Sequence, residues 1–215
     1  MLTSDYEQAA RDQGLAAGLG LALADCDIPA TAPGRYAAVP ARLADGTRPV
    51  LTNSLAGRED IVFLDCGLVR SRPPAAASTG ELAAANSRRR DLAAVGRRLA
   101  AVRLGLTRRL LDEAVDHLAS RTGGAEPLIR KQLLIGTIAD VIAGVELLRA
   151  LAPARPARSV PADGVLADLH ARITELDWQV IRLFGAAGYI ADHPVRALYV
   201  SALVANTWVA GGGQS

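Results

Sequence analysis

Along the second half of the chain, apolar residues recur at alternating steps of three and four. Leu92, Val95, Leu99, Val102 and Leu106 form one series, continued by Leu110 and Leu118. Leu133, Ile138, Val141, Ile142, Val145 and Leu148 form a second, and Leu166, Leu169, Ile173, Leu176, Val180 and Leu183 a third. An α-helix turns once per 3.6 residues, so each series is one apolar helical face. The first helix opens at Ser78-Thr-Gly-Glu81, which fits a capping box, and stops near Gly123-Gly124. The second is expected over about 126–152, ending before Pro153; the third breaks at Gly185–Gly188. A fourth begins near His193-Pro194, where proline suits a first turn, and runs to about Trp208. Three long helices and a shorter fourth, each with one apolar face, predict an antiparallel four-helix bundle.

The front of the chain has a different period. One helix is expected over 4–24, capped by Ser4 or Asp5, although Gly14, Gly18 and Gly20 weaken it. Tyr36–Val39, Pro49–Thr52 and Asp60–Leu64 are short β-like runs, separated by turn signals at Asp45-Gly46 and Gly57. Arg70–Ala77 and Pro153–Pro161 are proline-bearing linkers. The expected organisation is mainly α: residues 1–77 as a helix plus a small β-containing segment, and residues 78–215 as the bundle.

Composition narrows the function more than the fold. Half of the residues are apolar but only 4% are aromatic, which favours packed helices over a β-sandwich. A net charge of +2 offers no strong field for nucleic acid or an anionic membrane. The basic run Ser87-Arg-Arg-Arg90 with Arg97-Arg98 therefore reads as a solvated helix face. No apolar run reaches the roughly 20 residues of a membrane span. Asp5, Glu7, Arg11 and Asp12 interrupt what would be a secretory start, so a cytoplasmic protein is expected. Cys26 and Cys66 lack C-x-x-C spacing and read as reduced thiols. His117, His170 and His193 share no metal-binding spacing, so no metal is expected, and no G-x-S-x-G pattern supports a nucleophile.

The most specific stretch is the last: Arg182-Leu-Phe-Gly-Ala-Ala-Gly-Tyr189, then His193-Pro-Val195, Tyr199 and Trp208-Val-Ala-Gly-Gly212. It resembles the C-terminal end of acyl-CoA dehydrogenases, usually written Q-x-x-G-G-x-G-[YF], a Pro-Val-Glu helix, and I-Y-E-G-T-S. Two further stretches share the resemblance. Gly96–Ala119, with Gly105 between two halves of a helix, looks like the first helix of that domain. Arg121, then Gln132 eleven residues later and Ile138-Ala-Asp140, match R-x-x-F-G, Q and a leucine/alanine-Ala-Asp motif, with Gly124-Ala125 in place of Phe-Gly. The resemblance covers residues 91–215, and residues 36–70 faintly.

The resemblance implies a fold and removes the obvious chemistry. In that family an Arg and a Gln at the positions of Arg121 and Gln132 reach the FAD of a neighbouring subunit, offering donors to phosphate oxygens. It extends a flavin role to Arg182, where the family has Gln, and to the Gly185–Gly188 break, whose N–H groups suit an anion. The catalytic glutamate falls on Val209, which cannot accept the α-proton; Glu113, near the middle of the first helix, is a weak substitute. The family's N-terminal helical domain and the segments that hold the isoalloxazine are expected to be missing. The resulting expectation is an auxiliary subunit, in a homo-oligomer or with a full-length homologue, completing a shared flavin site for oxidation of an acyl thioester. Two alternatives stand beside it. One is an enzyme repurposed for a non-redox step through Asp140, Asp177 or Asp192; the other is a helical scaffold.

Overall fold

Gly14 takes a φ of 92°, a left-handed backbone that an L side chain rarely adopts, and it divides the helix expected over 4–24 into α1 (Thr3–Gln13) and α2 (Leu15–Ala22). The computed structural model describes residues 3–67, 79–152 and 163–209. Ser78 and the linkers at 70–77 and 153–161 lie outside them, as does the tail beyond Val209. After α2, the short α3 (Ile28–Thr31) is capped by Asp27, whose carboxylate accepts from the Ala30 N–H at 3.2 Å.

The three β-like runs form one antiparallel sheet: β1 (Tyr36–Pro40), β2 (Val50–Leu51) and β3 (Ile61–Asp65), with β3 in the middle. Tyr36 pairs with Asp65 and Pro40 with Ile61, while Val50 pairs with Leu64. Between β2 and β3 lies α4 (Ser54–Gly57), where Asn53 accepts from the N–H groups of Leu55 and Ala56. The outer edge of β1 is closed by side chains rather than by another strand. Ala38 donates to Thr207 Oγ1 at 3.1 Å, and its carbonyl accepts from Trp208 Nε1 at 2.8 Å. The sheet is thereby fastened to the far end of the chain.

The first apolar series becomes one unbroken helix, α5 (Thr79–Ser120), 42 residues and about 63 Å long. Gly105 does not divide it. A Cβ there would lie 2.2 Å from the carbonyl oxygen of Glu7, so the glycine lets α1 cross α5 at backbone distance. That crossing is the most extensive helix–helix contact among the described residues. Leu99, Val102, Leu106 and Leu110 are buried as the period predicts.

The helix expected from about 126 begins later. Thr122–Gly123 (β4) and Glu126–Pro127 (β5) pair as a tight hairpin around Gly124, which has a φ of 80°. The Leu128 N–H then bonds to the Arg121 carbonyl at 2.8 Å, and a 3₁₀ turn over Leu128–Arg130 leads into α6 (Gln132–Leu151). Pro127 has no N–H to give a helix, and the hairpin uses its neighbours. Next come α7 (Asp163–Leu183), a 3₁₀ turn over Gly185–Tyr189, and α8 (Arg196–Trp208). Helix α5 packs against α6, α7 and α8, and α7 touches both of the others. One apolar cluster runs from Tyr6 to Trp208, so α1, α2 and the sheet share their core with the long helices.

Helix α6 departs from its predicted stripe. Val141, Val145 and Leu148 are buried, but Leu133 is 86% exposed, Leu151 59% and Leu147 58%. The helix is thus apolar on two faces, one of them exposed.

Candidate functional site

Arg109, Glu113 and His117 follow one another at i, i+4 spacing along one face of α5 toward its C-terminus, and Arg121 stands four residues on, just past the helix end. Arg109 Nε donates to Glu113 Oε1 at 3.0 Å. Arg121 Nη1 lies 3.4 Å from His117 Nε2. A guanidinium has no acceptor, so that imidazole nitrogen must be the acceptor. The His117 ring lies against Phe184, 5.5 Å between centroids, and His193 meets the same phenyl ring edge-on at 4.7 Å. Phe184 sits between Arg182 and the Gly185 turn, so the ends of α5 and α7 and the segment before α8 meet at one place. His193 Nδ1 accepts from the Val195 N–H at 3.3 Å. Burial holds the His193 imidazole below its ordinary pKa, Glu113 works against that, and His117 and Arg196 add to it. Arg196 Nε in turn lies 2.7 Å from a carboxylate oxygen of Glu59. Burial raises the Glu59 pKa, and Arg196 and Arg109 oppose the rise.

The residues assigned to flavin fall unevenly around this junction. Arg121 and Arg182 are exposed beside it, while Gln132 is exposed at the first residue of α6. Their N–H groups fit the phosphate end of a dinucleotide. Gly185 ends α7 with a φ of 58°. Gly188 is buried, and a Cβ on it would stand 2.6 Å from the Ile181 carbonyl, which accounts for the glycine by packing alone. Clefts of about 520 Å³ (Thr47, Arg48, Pro49, Asp65 and Gly67) and about 450 Å³ (between the α2–α3 turn and the start of α5) are lined by none of these five.

Val209, where the resemblance puts the base, caps α8 with its N–H on the Ala205 carbonyl at 2.8 Å. Its side chain is half-buried, with Cγ2 3.7 Å from where a Cβ of Gly96 would be. Leu166 closes on the same glycine. The position is an apolar contact with no proton acceptor.

Behind it lies a group of residues that sequence reasoning did not assemble. Arg103 of α5 is fully buried, and all five of its N–H donors are used. Nε donates to Ser201 Oγ at 3.3 Å; Nη1 reaches the His170 carbonyl at 3.0 Å and His170 Nδ1 at 3.3 Å. Nη2 donates to Thr174 Oγ1 at 2.7 Å and Asp177 Oδ2 at 2.9 Å. Thr107 Oγ1 covers the other Asp177 oxygen at 2.6 Å. With Nδ1 facing a donor, His170 carries its proton on Nε2 and gives it to the Gly96 carbonyl at 3.0 Å. Burial, reinforced by Arg103, lowers the His170 pKa to about 4, against the pull of that carbonyl. Burial raises the Asp177 pKa, and Arg103 and Thr107 oppose it. The signal was present in the sequence: Arg103 interrupts the apolar run Leu99–Leu106, and His170 and Asp177 lie on the apolar side of α7. Of the other carboxylates considered, Asp140 is exposed and Asp192 is an exposed partner of Arg58. Among the described residues no cluster of His, Cys, Asp and Glu could hold a metal ion, and no helix is long and apolar enough to cross a membrane.

Comparison with known proteins agrees with this architecture. Among solved structures, butyryl-CoA dehydrogenase from Megasphaera elsdenii is similar, with 17% identity, a TM-score of 0.55, and coverage of 81% of this chain and 45% of that one. The ChsE4–ChsE5 complex from Mycobacterium tuberculosis gives 22% identity and a TM-score of 0.54, covering 77% of this chain and 45% of that one. The prolyl acyl carrier protein oxidase AnaB gives 15% and 0.52, covering 77% and 46%. At these identities the likeness shows the fold, and the chain spans under half the length of each. No curated protein matches it. Residues 92–213, more than half of the chain, match the family model for the acyl-CoA dehydrogenase C-terminal domain. The chain belongs to the acyl-CoA dehydrogenase family.

Proposed function

We propose that this chain is a subunit of an oligomeric acyl-CoA dehydrogenase-type assembly, in which it helps to hold FAD carried mainly by a longer homologue. The observation that carries this reading is the outward placement of Arg121 and Gln132, next to the exposed apolar face of α6 that begins at Leu133. Donors left open on an exposed surface suit a cofactor that another subunit presents. In this reading residues 78–215 are the family's C-terminal unit and residues 1–77 a reduced front part. FAD, when bound, supplies the hydride-accepting ring for oxidation of an acyl thioester. Arg121, Gln132 and Arg182 bind and orient its phosphate end. Val209 leaves proton abstraction to the partner.

The placement of the carboxylates favours this over a repurposed enzyme. Asp177 is buried, but both its oxygens are taken by Arg103 and Thr107, and Asp140 and Asp192 face solvent. The ChsE4–ChsE5 neighbour is a complex by its own description, which supports a two-chain assembly as a form this fold adopts. Co-expression of this chain with a longer homologue, followed by purification on a tag carried by this chain, tests the proposal. A yellow complex that oxidises acyl thioesters, and loses flavin when Arg121 and Gln132 are both changed to Ala, is expected. A homologue that retains flavin and full activity without this chain overturns it.

A further inference from the structure

Helix α6 carries two stripes, and only one of them is covered. Leu134, Ile138, Val141, Val145 and Leu148 pack against the core at alternating steps of four and three. On the opposite side Leu133, Gly136, Asp140, Ala143, Leu147 and Ala150 repeat the alternation, and every one of them is exposed. A seam with steps of three and four is the pattern by which one helix receives another along its length. Gly136 adds a second, independent sign. Glycine inside a helix is unfavourable, and a Cβ at this position would meet nothing within 4 Å. Packing within the chain does not call for the glycine, whereas its bare backbone leaves room for a side chain arriving from outside.

Asp140 decides what kind of helix fits. It lies near the middle of the outer stripe, and among the described residues it makes no hydrogen bond or ion pair. The cations of α6 and its approach are engaged elsewhere: Arg149 with Glu7 and Glu146, and Lys131 with Glu126 at 4.0 Å. A second copy laid antiparallel, with its Leu151 on Leu133, would bring the two Asp140 side chains to about 6 Å apart along the helix axis. A parallel copy would set them directly opposite. Either way like charges meet in a surface that pairing dries, which opposes self-association. A helix with a guanidinium or ammonium at that point gains a charge-assisted hydrogen bond there instead.

We propose that the outer stripe of α6 receives a helix of another chain that presents arginine or lysine to Asp140, and that Asp140 keeps two copies of this chain from pairing there. That the other chain is the longer homologue rests on the reading above; the preference for a cation rests on the stripe alone.

Sedimentation of the full chain and its variants tests the preference with the protein itself, and Leu147→Glu marks any pairing that runs through α6. Wild type and Asp140→Arg, each alone, are expected to show no pairing that depends on Leu147. An equimolar mixture of the two should pair one-to-one, roughly tenfold or more tighter than either alone, because the central charges are then opposite. Salt should weaken that pair. Asp140→Leu alone should self-associate, and Leu147→Glu should abolish both kinds of pairing, with thermal melts confirming that each variant folds. Wild type that pairs through Leu147 as tightly as the mixture overturns the proposal, since a second copy is then the occupant. A mixture that does not pair overturns it as well. In the complex with the longer homologue, Asp140→Arg should release the homologue, whereas changing Arg121 and Gln132 should cost flavin and leave the complex intact. A complex indifferent to Asp140→Arg overturns the assignment of this face to the homologue. A complex that Asp140→Arg breaks, but whose flavin never depended on this chain, leaves the docking surface standing and removes the flavin reading alone.

Discussion

Arg103, inside α5, and Arg121, one residue past its end, each touch a histidine, and their surroundings send them to opposite ends of protein chemistry. Arg103 meets His170 in a fully buried setting where every donor has a partner, and the group fastens α5, α7 and α8 together. Arg121 meets His117 at the exposed end of the same helix, with most of its donors uncommitted to any hydrogen bond described above. A buried guanidinium is tolerable only when its partners are complete, so nothing is left over for a ligand. An exposed one costs little to leave open, and that openness is what a binding group requires. The difference is one of burial, not of residue type.

The sharpest way to break the comparison is Arg103→Met. It leaves Asp177 as an uncompensated buried charge, and urea unfolding should show a loss of about 3–5 kcal/mol. Changing Asp177→Leu in the same chain should restore much of it, since the pair replaced together leaves no orphan charge.

Acid should attack the buried histidine next. His170 has its folded pKa lowered to about 4, whereas an unfolded histidine titrates near 6.5. The unfolded chain therefore takes up the proton first. The stability from His170 is complete above about pH 6.5, is lost as pH falls from there toward 4, and changes no further below. The shift corresponds to roughly 3 kcal/mol, and unfolding curves at pH 7 and 4.5 should show most of that loss in the wild type but less of it in His170→Gln.

A smaller effect comes from Gly105→Ala, because a methyl group there meets the Glu7 carbonyl rather than a movable side chain. Overpacking of this kind costs about 1–3 kcal/mol, and the melting temperature should fall accordingly. The smallest effect marks the other pole. Arg121→Ala should alter stability by no more than about 0.5 kcal/mol in the same assay. If it destabilises the fold as Arg103→Met does, the contrast between the two arginines fails.

Legibility in the sequence followed the same division. The stripes of α5 and α7 were readable because burial of one helical face imposes a period of 3.6, and Val95, Leu99, Ile173 and Val180 are all buried as that period requires. The three strands were readable from their turn signals. Gly14 was noted only as a weak point in a helix, since its left-handed backbone is a choice the chain makes in packing α1 over α5. Leu133 was read into the core stripe of α6 and lies outside it, because Leu134, one residue on, holds the place in phase with Ile138, Val141 and Val145 and packs against the core. Arg103, His170 and Asp177 were visible as polar residues on apolar faces, but their partnership spans 74 positions from Arg103 to Asp177.

By itself, then, the sequence determined the helical architecture, the family, and the presence of a valine where that family keeps its base. These depend on local periodicity and on residue identities, which need no third dimension. The tertiary structure decided which arginine is structural and which is open, which face of α6 stays uncovered, and how the sheet is bound to α8. Those outcomes depend on how completely distant side chains exclude water and satisfy one another, a property that arises only when the segments meet.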